Sequence, residues 1–190
     1  MLKLSDNKLP EHLGGHKGRT HLDFGVLEYM IETYNIKNML DIGCGPGGMV
    51  DLATDKGLNA VGIDGDYTVS RSKNKFVIHD YTKGPSTIIE SFDLIWSCEF
   101  VEHVEEIYLP NFMEDFKKGK FVVMTFSEKS GHHHVNCKPA SYWINQFEKA
   151  NFKFDPIETD IIRNKSTMNI DKLKKKQFVK NAGLFFQNLG

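Results

Sequence analysis

The sequence predicts an α/β domain built on a mostly parallel β-sheet. Short apolar segments typical of strands alternate with amphipathic segments typical of helices. The first strand, residues 38–42, runs through a glycine-rich turn into a helix, and the later strands are spaced widely enough for crossover helices. At 190 residues with 40% hydrophobic content, the chain has the size and apolar content of one domain.

The first half of the chain predicts an amphipathic helix followed by a βαβ unit. We expect residues 1–15 to be a flexible N-terminal arm or flap, and residues 16–190 to form the single domain. A helix is predicted over 21–34, with Thr20 or Asp23 as its N-cap. The βαβ unit combines strand 38–42, helix 47–56 ended by Gly57, and strand 59–63.

The second half continues the alternation. The pattern predicts strands over 76–79, 92–97, 120–126, 152–157 and 183–187, and helices over 141–149 and 171–180. Tyr142 and Trp143 are interpreted as core residues of their helix. Lysines at 172 and 174–176 are interpreted as a solvated helix face rather than a nucleic-acid patch.

Composition and charge limit the cellular location and the classes of binding partner to be expected. With 24 basic and 25 acidic residues the net charge is −1, so no overall field attracts nucleic acid, although a local site remains open. Cys44, Cys98 and Cys137 lack metal or disulfide spacing and are typical of reduced thiols. No apolar run approaches the ~20 residues that span a bilayer. We therefore expect a cytoplasmic protein (in the host cytoplasm if viral) with no membrane partner; oligomeric state stays open.

The glycine turn carries the main functional signal. Residues 39–48 read MLDIGCGPGG, and their glycines fit both GxGxxG and GxGxG spacing. Glycine permits the positive φ and the close backbone approach that a flat cofactor needs there. The glycines alone therefore leave both a nicotinamide dinucleotide and S-adenosylmethionine open.

Three aspartates lie at or just beyond the ends of predicted strands. Asp64 stands where a carboxylate accepts hydrogen bonds from ribose, which suits either cofactor. Asp41, beside the turn, would repel a pyrophosphate but favours a cationic ammonium or sulfonium. Asp80 is placed to accept a hydrogen bond from an adenine amino group. The alternative for each acid is a helix cap or a surface residue.

Four segments together, 40–47, 61–64, 79–80 and 92–99, resemble the class I S-adenosylmethionine-dependent methyltransferases. The resemblance covers about residues 15–188. It implies a Rossmann-like, doubly wound, mostly parallel seven-stranded sheet, with the last strand antiparallel beside the fifth. It also implies S-adenosyl-L-methionine as cofactor and a methyl acceptor that is unidentified. The compact chain, in which we expect no appended recognition domain, favours a small molecule or an exposed macromolecular group over a buried duplex base.

The resemblance places Gly43 and Gly45 behind the methionine moiety, Asp64 at the ribose and Asp80 at the adenine. Cys98 or Glu99 would lie under the methyl group. Two interpretations stay open for His16, Lys17 and Thr20, which either fold over the cofactor carboxylate from the N-terminal side or belong to an exposed polar arm. The cofactor-binding candidates are Asp41, Gly43, Cys44, Gly45, Asp64, Gly65, Asp80, Tyr81, Cys98, His16 and Thr20.

A narrower resemblance links residues 99–104 and 131–136 with small bacteriophage methyltransferases of unassigned substrate. The sequence after the fourth strand lacks an Asp/Asn-Pro-Pro-Tyr/Phe tetrapeptide, which argues against amino-methylation of DNA bases. No Pro-Cys pair marks a cytosine-C5 nucleophile.

Methyl transfer is an in-line displacement, so the enzyme mainly aligns the acceptor and a base is optional. The catalytic candidates are Glu99, His103, His132 and His134, which follow the fourth and fifth strands together with Glu102. The alternative for His103 is a capping or packing role. Three adjacent histidines and Cys137 suggest zinc, but consecutive side chains diverge and no spaced ligand pair accompanies them, so no metal is predicted.

Two other functions stay open at this point. One is a module that binds S-adenosylmethionine or S-adenosylhomocysteine without transferring a methyl group. The other is a nicotinamide-dependent oxidoreductase, which Asp41 opposes. A Tyr-x-x-x-Lys pair is also lacking, since Tyr142 is followed by Gln146 at that spacing.

Overall fold

The computed structural model describes residues 9–13, 18–71, 74–169 and 176–190. The first half contains a helix, a βαβ unit and a third strand. These elements are α1 (Phe24–Tyr34), β1 (Asn38–Ile42), α2 (Gly48–Asp55), β2 (Asn59–Asp64) and β3 (Lys75–Ile78). Of the predicted arm, Glu11–Leu13 form a 3₁₀ turn, and residues 1–8 and 14–15 lie outside the described residues.

The second half alternates strands and helices and ends in two helices and a strand. Its elements are β4 (Phe92–Ser97), α3 (Leu109–Phe116), β5 (Gly119–Thr125), α4 (Ala140–Lys149), β6 (Phe152–Phe154), α5 (Pro156–Lys165), α6 (Phe178–Ala182) and β7 (Gly183–Asn188). No helix among the described residues has the length and apolar character needed to cross a membrane.

The strands form one seven-stranded sheet in the order β3-β2-β1-β4-β5-β7-β6. Strands β1 to β5 pair in parallel, and β7 is antiparallel to both β5 and β6. The predicted Rossmann-like, mostly parallel sheet with an antiparallel last strand is confirmed. The chain reverses its direction of winding between β1 and β4, which opens a crevice at the carboxyl ends of these strands.

Alternation along the strands divides the core between the two faces of the sheet. On β5, Phe121 and Val123 pack on the face that α1 and α2 cover, whereas Val122 and Met124 pack with Trp143 on the opposite face. This alternation is what a sheet with helices on both faces requires. The fully buried Trp143 confirms its predicted core position.

Buried Asp23 starts α1 and ties it to the end of α5. One carboxylate oxygen accepts the N–H of Val26 (3.1 Å) and the N–H of Thr167 (3.0 Å), and the other accepts the hydroxyl of Ser166. Of the two predicted N-cap residues, Thr20 and Asp23, it is Asp23 that caps α1. The contact anchors the chain that leads from the N-terminal segment into the sheet.

Two predicted elements are wrong in part. The strand predicted over 152–157 stops at Phe154, because Asp155 accepts the N–H groups of Ile157 and Glu158 and so caps α5, whose first residue is Pro156. The helix predicted over 171–180 falls partly outside the described residues, and the described helix there is α6, which begins only at Phe178.

Candidate active site

A cavity of about 550 Å³ opens at the carboxyl ends of β1, β2 and β4. Its volume lies within the ~300–1,000 Å³ of sites for small ligands. All predicted site residues that the structure describes line it, and His16 lies outside the described residues. The lining candidates are Thr20, Asp41, Gly43, Cys44, Gly45, Asp64, Gly65, Asp80, Tyr81, Cys98, Glu99, His103, His132 and His134.

The glycine turn has the backbone geometry that its sequence predicts. Gly43 adopts φ +76°, and a Cβ added there would lie 2.7 Å from the side chain of Phe100. Gly47 adopts φ +88°, and a Cβ there would meet the Phe76 ring at 2.4 Å. Larger residues are therefore excluded by both conformation and space.

The N–H groups of the turn are already engaged within the protein. Those of Gly43 and Cys44 donate to the carbonyl of Ile63, at 2.9 and 3.2 Å, and that of Gly47 donates to Cys44. The N–H of Gly45 donates to a carboxylate oxygen of Asp64 at 2.7 Å. Dinucleotide binding turns offer such groups to a pyrophosphate. This turn lacks free N–H groups at these positions, which argues against a dinucleotide.

Asp41 contributes a buried carboxyl group beside the turn. Burial raises its pKa well above the usual value, and the negative charge of Asp64 raises it further. A cation placed against Asp41 would favour its ionised form. The group is therefore suited to receive an ammonium or sulfonium and unsuited to receive a phosphate.

Basic side chains line another part of the same cavity, namely Arg19, His21 and Lys176. Burial lowers the pKa of His21, and the positive charges of Lys176 and Arg19 lower it further, which shows that the three groups lie close together. Such a cluster attracts a carboxylate. Arg19 was not predicted as a site residue, because nothing in the local sequence distinguishes it from a surface arginine.

Asp64, the predicted ribose acceptor, is held by several donors. Besides Gly45, the N–H of Asp66 donates to it at 2.8 Å, and Arg71 Nη2 lies 3.2 Å from the carboxylate. Arg71 also donates to the carbonyls of Gly45 (2.9 Å) and Asp66 (2.8 Å). Arg71 thus fixes the orientation of Asp64, and sequence analysis missed it because the contact depends on the course of the loop after β2.

Asp80 caps a short turn and also lies in the wall of the cavity. It caps the 3₁₀ turn Tyr81–Lys83 by accepting the N–H of Thr82 at 2.9 Å, and it also lines the cavity. His12 of the N-terminal segment lies 3.2 Å from its other carboxylate oxygen. Burial opposes ionisation of Asp80, but the contacts with Thr82 and His12 outweigh it and lower its pKa.

Tyr81 lines the cavity, but its hydroxyl group has another partner. The hydroxyl donates to buried Asp115 at 2.5 Å, which also accepts the hydroxyl of Ser86. Burial and the charge of Asp115 raise the pKa of Tyr81. The phenol is therefore a structural donor at this position.

The described cysteines are free thiols, as expected. Burial raises the pKa of both Cys44 and Cys98 well above the usual range, and neighbouring carboxylates raise it further. These groups are neutral at physiological pH and line the cavity as small apolar surfaces.

The loop after β4 carries two interacting carboxyl groups. Glu99 adopts φ +56°, and its N–H donates to the hydroxyl of Thr125 at 2.8 Å, which orients the chain at the end of β4. Burial raises the pKa of Glu99 to about 7. Burial and the charge of Glu99 also raise the pKa of Glu102. A half-ionised carboxyl group therefore lies in the cavity wall near neutral pH.

The loop after β5 folds against this carboxyl pair. Its His134 ring packs edge-on against the His103 ring, with centroids 4.7 Å apart. Burial, and to a smaller extent the charge of His134, lower the pKa of His103 to about 4, so its imidazole is neutral at physiological pH. The predicted catalytic residues from two loops are thus brought to one end of the cavity.

Comparison with known proteins adds to this geometry. A family model described as a methyltransferase domain matches residues 16–157 of the 190-residue chain. The curated proteins, by contrast, include no significant match.

Several solved structures share the fold. A TehB-like SAM-dependent methyltransferase from Corynebacterium glutamicum is 17% identical, with 70% of this chain and 76% of that chain covered and a TM-score of 0.55. The methyltransferase domain of bacterial CtHen1 is 16% identical, with 86% and 95% covered and a TM-score of 0.57. Magnesium protoporphyrin IX methyltransferase from Synechocystis PCC 6803, with bound SAH, is 11% identical, with 68% and 71% covered and a TM-score of 0.55.

The structural likeness concerns the fold, while the family match spans the glycine turn, the three aspartates and both histidine-bearing loops. On that match, the chain belongs to the methyltransferase-domain family.

Proposed function

We propose that the chain is an S-adenosylmethionine-dependent methyltransferase whose acceptor enters beside Glu99, His103, His132 and His134. The observation that carries the proposal is the glycine turn, where the N–H groups of Gly43, Cys44, Gly45 and Gly47 are bonded within the protein and Asp41 places a buried carboxyl group beside them. That arrangement suits a cationic sulfur nucleoside. Solved structures of the same fold include a methyltransferase with bound SAH.

The cavity fits the parts of such a cofactor. Asp41 would face the ammonium of the methionine moiety, and the cations Arg19 and Lys176, with neutral His21 beside them, would face its carboxylate. Asp64, braced by Arg71, would hold the ribose hydroxyls, and Asp80 the adenine amino group. Each assignment pairs a charged or hydrogen-bonding group of the ligand with a complementary group on the cavity wall.

The bound cofactor supplies an electrophilic methyl group on a sulfonium. The chain's own residues then have to align an acceptor atom in line with that methyl and exclude water. Near neutral pH, neutral His103 is able to accept a hydrogen bond from the acceptor, and the ionised form of Glu99 is able to accept a hydrogen bond or a proton.

A small-molecule acceptor is favoured by the walls of the cavity. His12 of the N-terminal segment and His133 of the loop after β5 both line it, and their ring centroids are 6.4 Å apart. This approach narrows the space left beside the catalytic candidates.

Two further predictions, a cytoplasmic location and the likeness of residues 99–104 and 131–136 to small bacteriophage methyltransferases, rest on sequence alone.

Methyl transfer is tested by incubating the protein with methyl-labelled S-adenosylmethionine and a fractionated metabolite pool. We expect S-adenosylhomocysteine to appear together with label in one small-molecule fraction, and both to be lost in His103→Ala. Tight binding of the cofactor without turnover over metabolite, peptide and nucleic-acid pools would instead identify a binding module.

A further inference from the structure

We propose that Glu102, His103 and His134 form a binding site for one divalent transition-metal ion at the acceptor end of the cavity. One ligand atom from each side chain lies within 4.8 Å of those of the other two. A tetrahedral metal with bonds of about 2.0–2.2 Å to nitrogen and oxygen holds its ligand atoms about 3.4 Å apart. A small inward movement of the side chains is enough to complete the site.

The cluster contains buried polar atoms that have no hydrogen-bond partner among the described residues. Glu102 is fully buried, and neither of its carboxylate oxygens has a hydrogen-bond partner of normal geometry among the described residues. Nδ1 of His103 is in the same condition. Burying a polar group without a partner destabilises the folded state, and burying a carboxylate does so more than burying an amide. A cation between these atoms removes that cost.

A backbone carbonyl orients the ring of His134 for metal binding. Its Nδ1 lies 2.7 Å from the carbonyl oxygen of Lys129. A carbonyl oxygen only accepts, so Nδ1 carries the hydrogen and Nε2 keeps its lone pair. Metal-binding histidines are commonly held in this way by a carbonyl or carboxylate on the far side of the ring.

Hydrogen bonds join the loop after β4 to the loop after β5 at the site. The carbonyl of Glu102 accepts the N–H groups of Val135 (2.9 Å) and Asn136 (3.1 Å). The Asn136 side chain donates to the carbonyl of Val101 at 3.5 Å and is itself buried. The backbone therefore holds Glu102 and His134 in a fixed relation, as a preorganised site requires.

The donor set indicates the kind of ion. Two imidazoles and a carboxylate suit Zn²⁺, Mn²⁺ or Fe²⁺ better than Mg²⁺ or Ca²⁺, which favour oxygen ligands. His103 and His134 line the cavity, so coordination positions remain on the cavity side. On the proposed function, an acceptor oxygen or nitrogen occupies one of them, where a metal lowers its pKa and orients it.

The competing account is a proton held between Glu99 and Glu102, which would also neutralise the buried carboxyl group. The two accounts differ in a measurable way. A metal site binds one ion per chain through histidine, whereas a shared proton needs neither histidine nor any ion.

The test uses the full chain, stripped of metal with EDTA and dialysed, and titrated with Mn²⁺ while electron paramagnetic resonance follows the free ion. We expect one ion to bind per chain, and Glu102→Gln and His134→Gln to weaken binding by roughly tenfold or more. The matched control is His133→Asn, one residue away at φ +50°, where asparagine is tolerated. It should bind like the wild type.

Titration of the same samples with S-adenosylhomocysteine separates this proposal from the proposed function and also reports folding. No Mn²⁺ binding by the wild type, or equal binding by all four proteins, overturns the metal site even where the nucleoside binds. Binding of Mn²⁺ that depends on Glu102 and His134 supports the site even where the nucleoside does not bind, a result that counts against the proposed cofactor alone.

Discussion

The guanidinium of Arg71 lies 3.2 Å from the carboxylate of Asp64, and the two side chains are only 7% and 10% exposed. The same guanidinium donates to the carbonyl of Gly45, so it joins the loop after β2 to the glycine turn. The orientation of the proposed ribose acceptor therefore depends on a residue outside the cavity lining.

Replacement Arg71→Ala should destabilise the protein by about 3 kcal/mol, because it leaves a largely buried carboxylate without its cation. Affinity for S-adenosylhomocysteine should fall as well, since Asp64 loses its fixed orientation. Urea unfolding and calorimetric titration measure the two effects. The control is Lys75→Ala, which breaks the exposed pair with Glu90 and should change little. Equal stability of the two variants would count against the bracing role.

Replacement Asp41→Asn should raise the melting temperature of the ligand-free protein and weaken nucleoside binding. Burial raises the pKa of Asp41 in the folded state, so its contribution to stability is full below the unfolded pKa of about 3.9 and is lost as pH rises through the folded pKa. The gain from asparagine should therefore grow with pH. Thermal melts from pH 5 to about 8 test this, with Asp160→Asn on an exposed face of α5 as the control. A gain that is independent of pH refutes the burial argument.

Replacement Gly43→Ala should cost more stability than Gly57→Ala. Both residues have positive φ, +76° and +87°, so both substitutions carry the backbone penalty of about 1 kcal/mol or more. Only at Gly43 would the added Cβ lie 2.7 Å from Phe100, since nothing lies within 4 Å of a Cβ at Gly57. The difference in unfolding free energy isolates the crowding. Similar losses at both positions would show that Phe100 moves aside freely.

Replacement Tyr81→Phe should destabilise the protein by about 1.5–3 kcal/mol, because the hydroxyl donates to the buried carboxylate of Asp115. Affinity for S-adenosylhomocysteine should be unchanged at a temperature where the variant is folded. A loss of affinity without loss of stability would instead give the hydroxyl a part in binding.

Local sequence patterns predicted the sheet well. Strands β1 and β4 have the predicted bounds, Asn38–Ile42 and Phe92–Ser97, because each is a short apolar run ended by polar or glycine residues. Helix α3 was not predicted as a separate element, because only eight residues and an early proline leave little periodicity. At Asp155-Pro156, capping overrode the apolar pattern that predicted a longer strand.

Sequence patterns likewise predicted the site residues that depend on local structure and missed the contacts that depend on how distant segments come together. Asp41, Asp64 and Asp80 were found because each lies at or just beyond the carboxyl end of a strand, and the carboxyl ends of parallel strands share one edge. The contact of Arg71 with Asp64 depends on how a loop folds back. No metal was predicted, because the side chains of consecutive histidines diverge. In the structure, however, Glu102 and His103 of one loop lie beside His134 of another. Such pairings carry no signal in the spacing of residues.

The most direct test of the central claim is calorimetric titration of the wild-type protein with S-adenosylhomocysteine and with NAD in parallel. The account predicts one-to-one binding of S-adenosylhomocysteine, weakened in Asp41→Asn, and no binding of NAD. Binding of NAD alone would contradict it, because a pyrophosphate would then occupy a turn whose N–H groups are engaged by Ile63, Cys44 and Asp64.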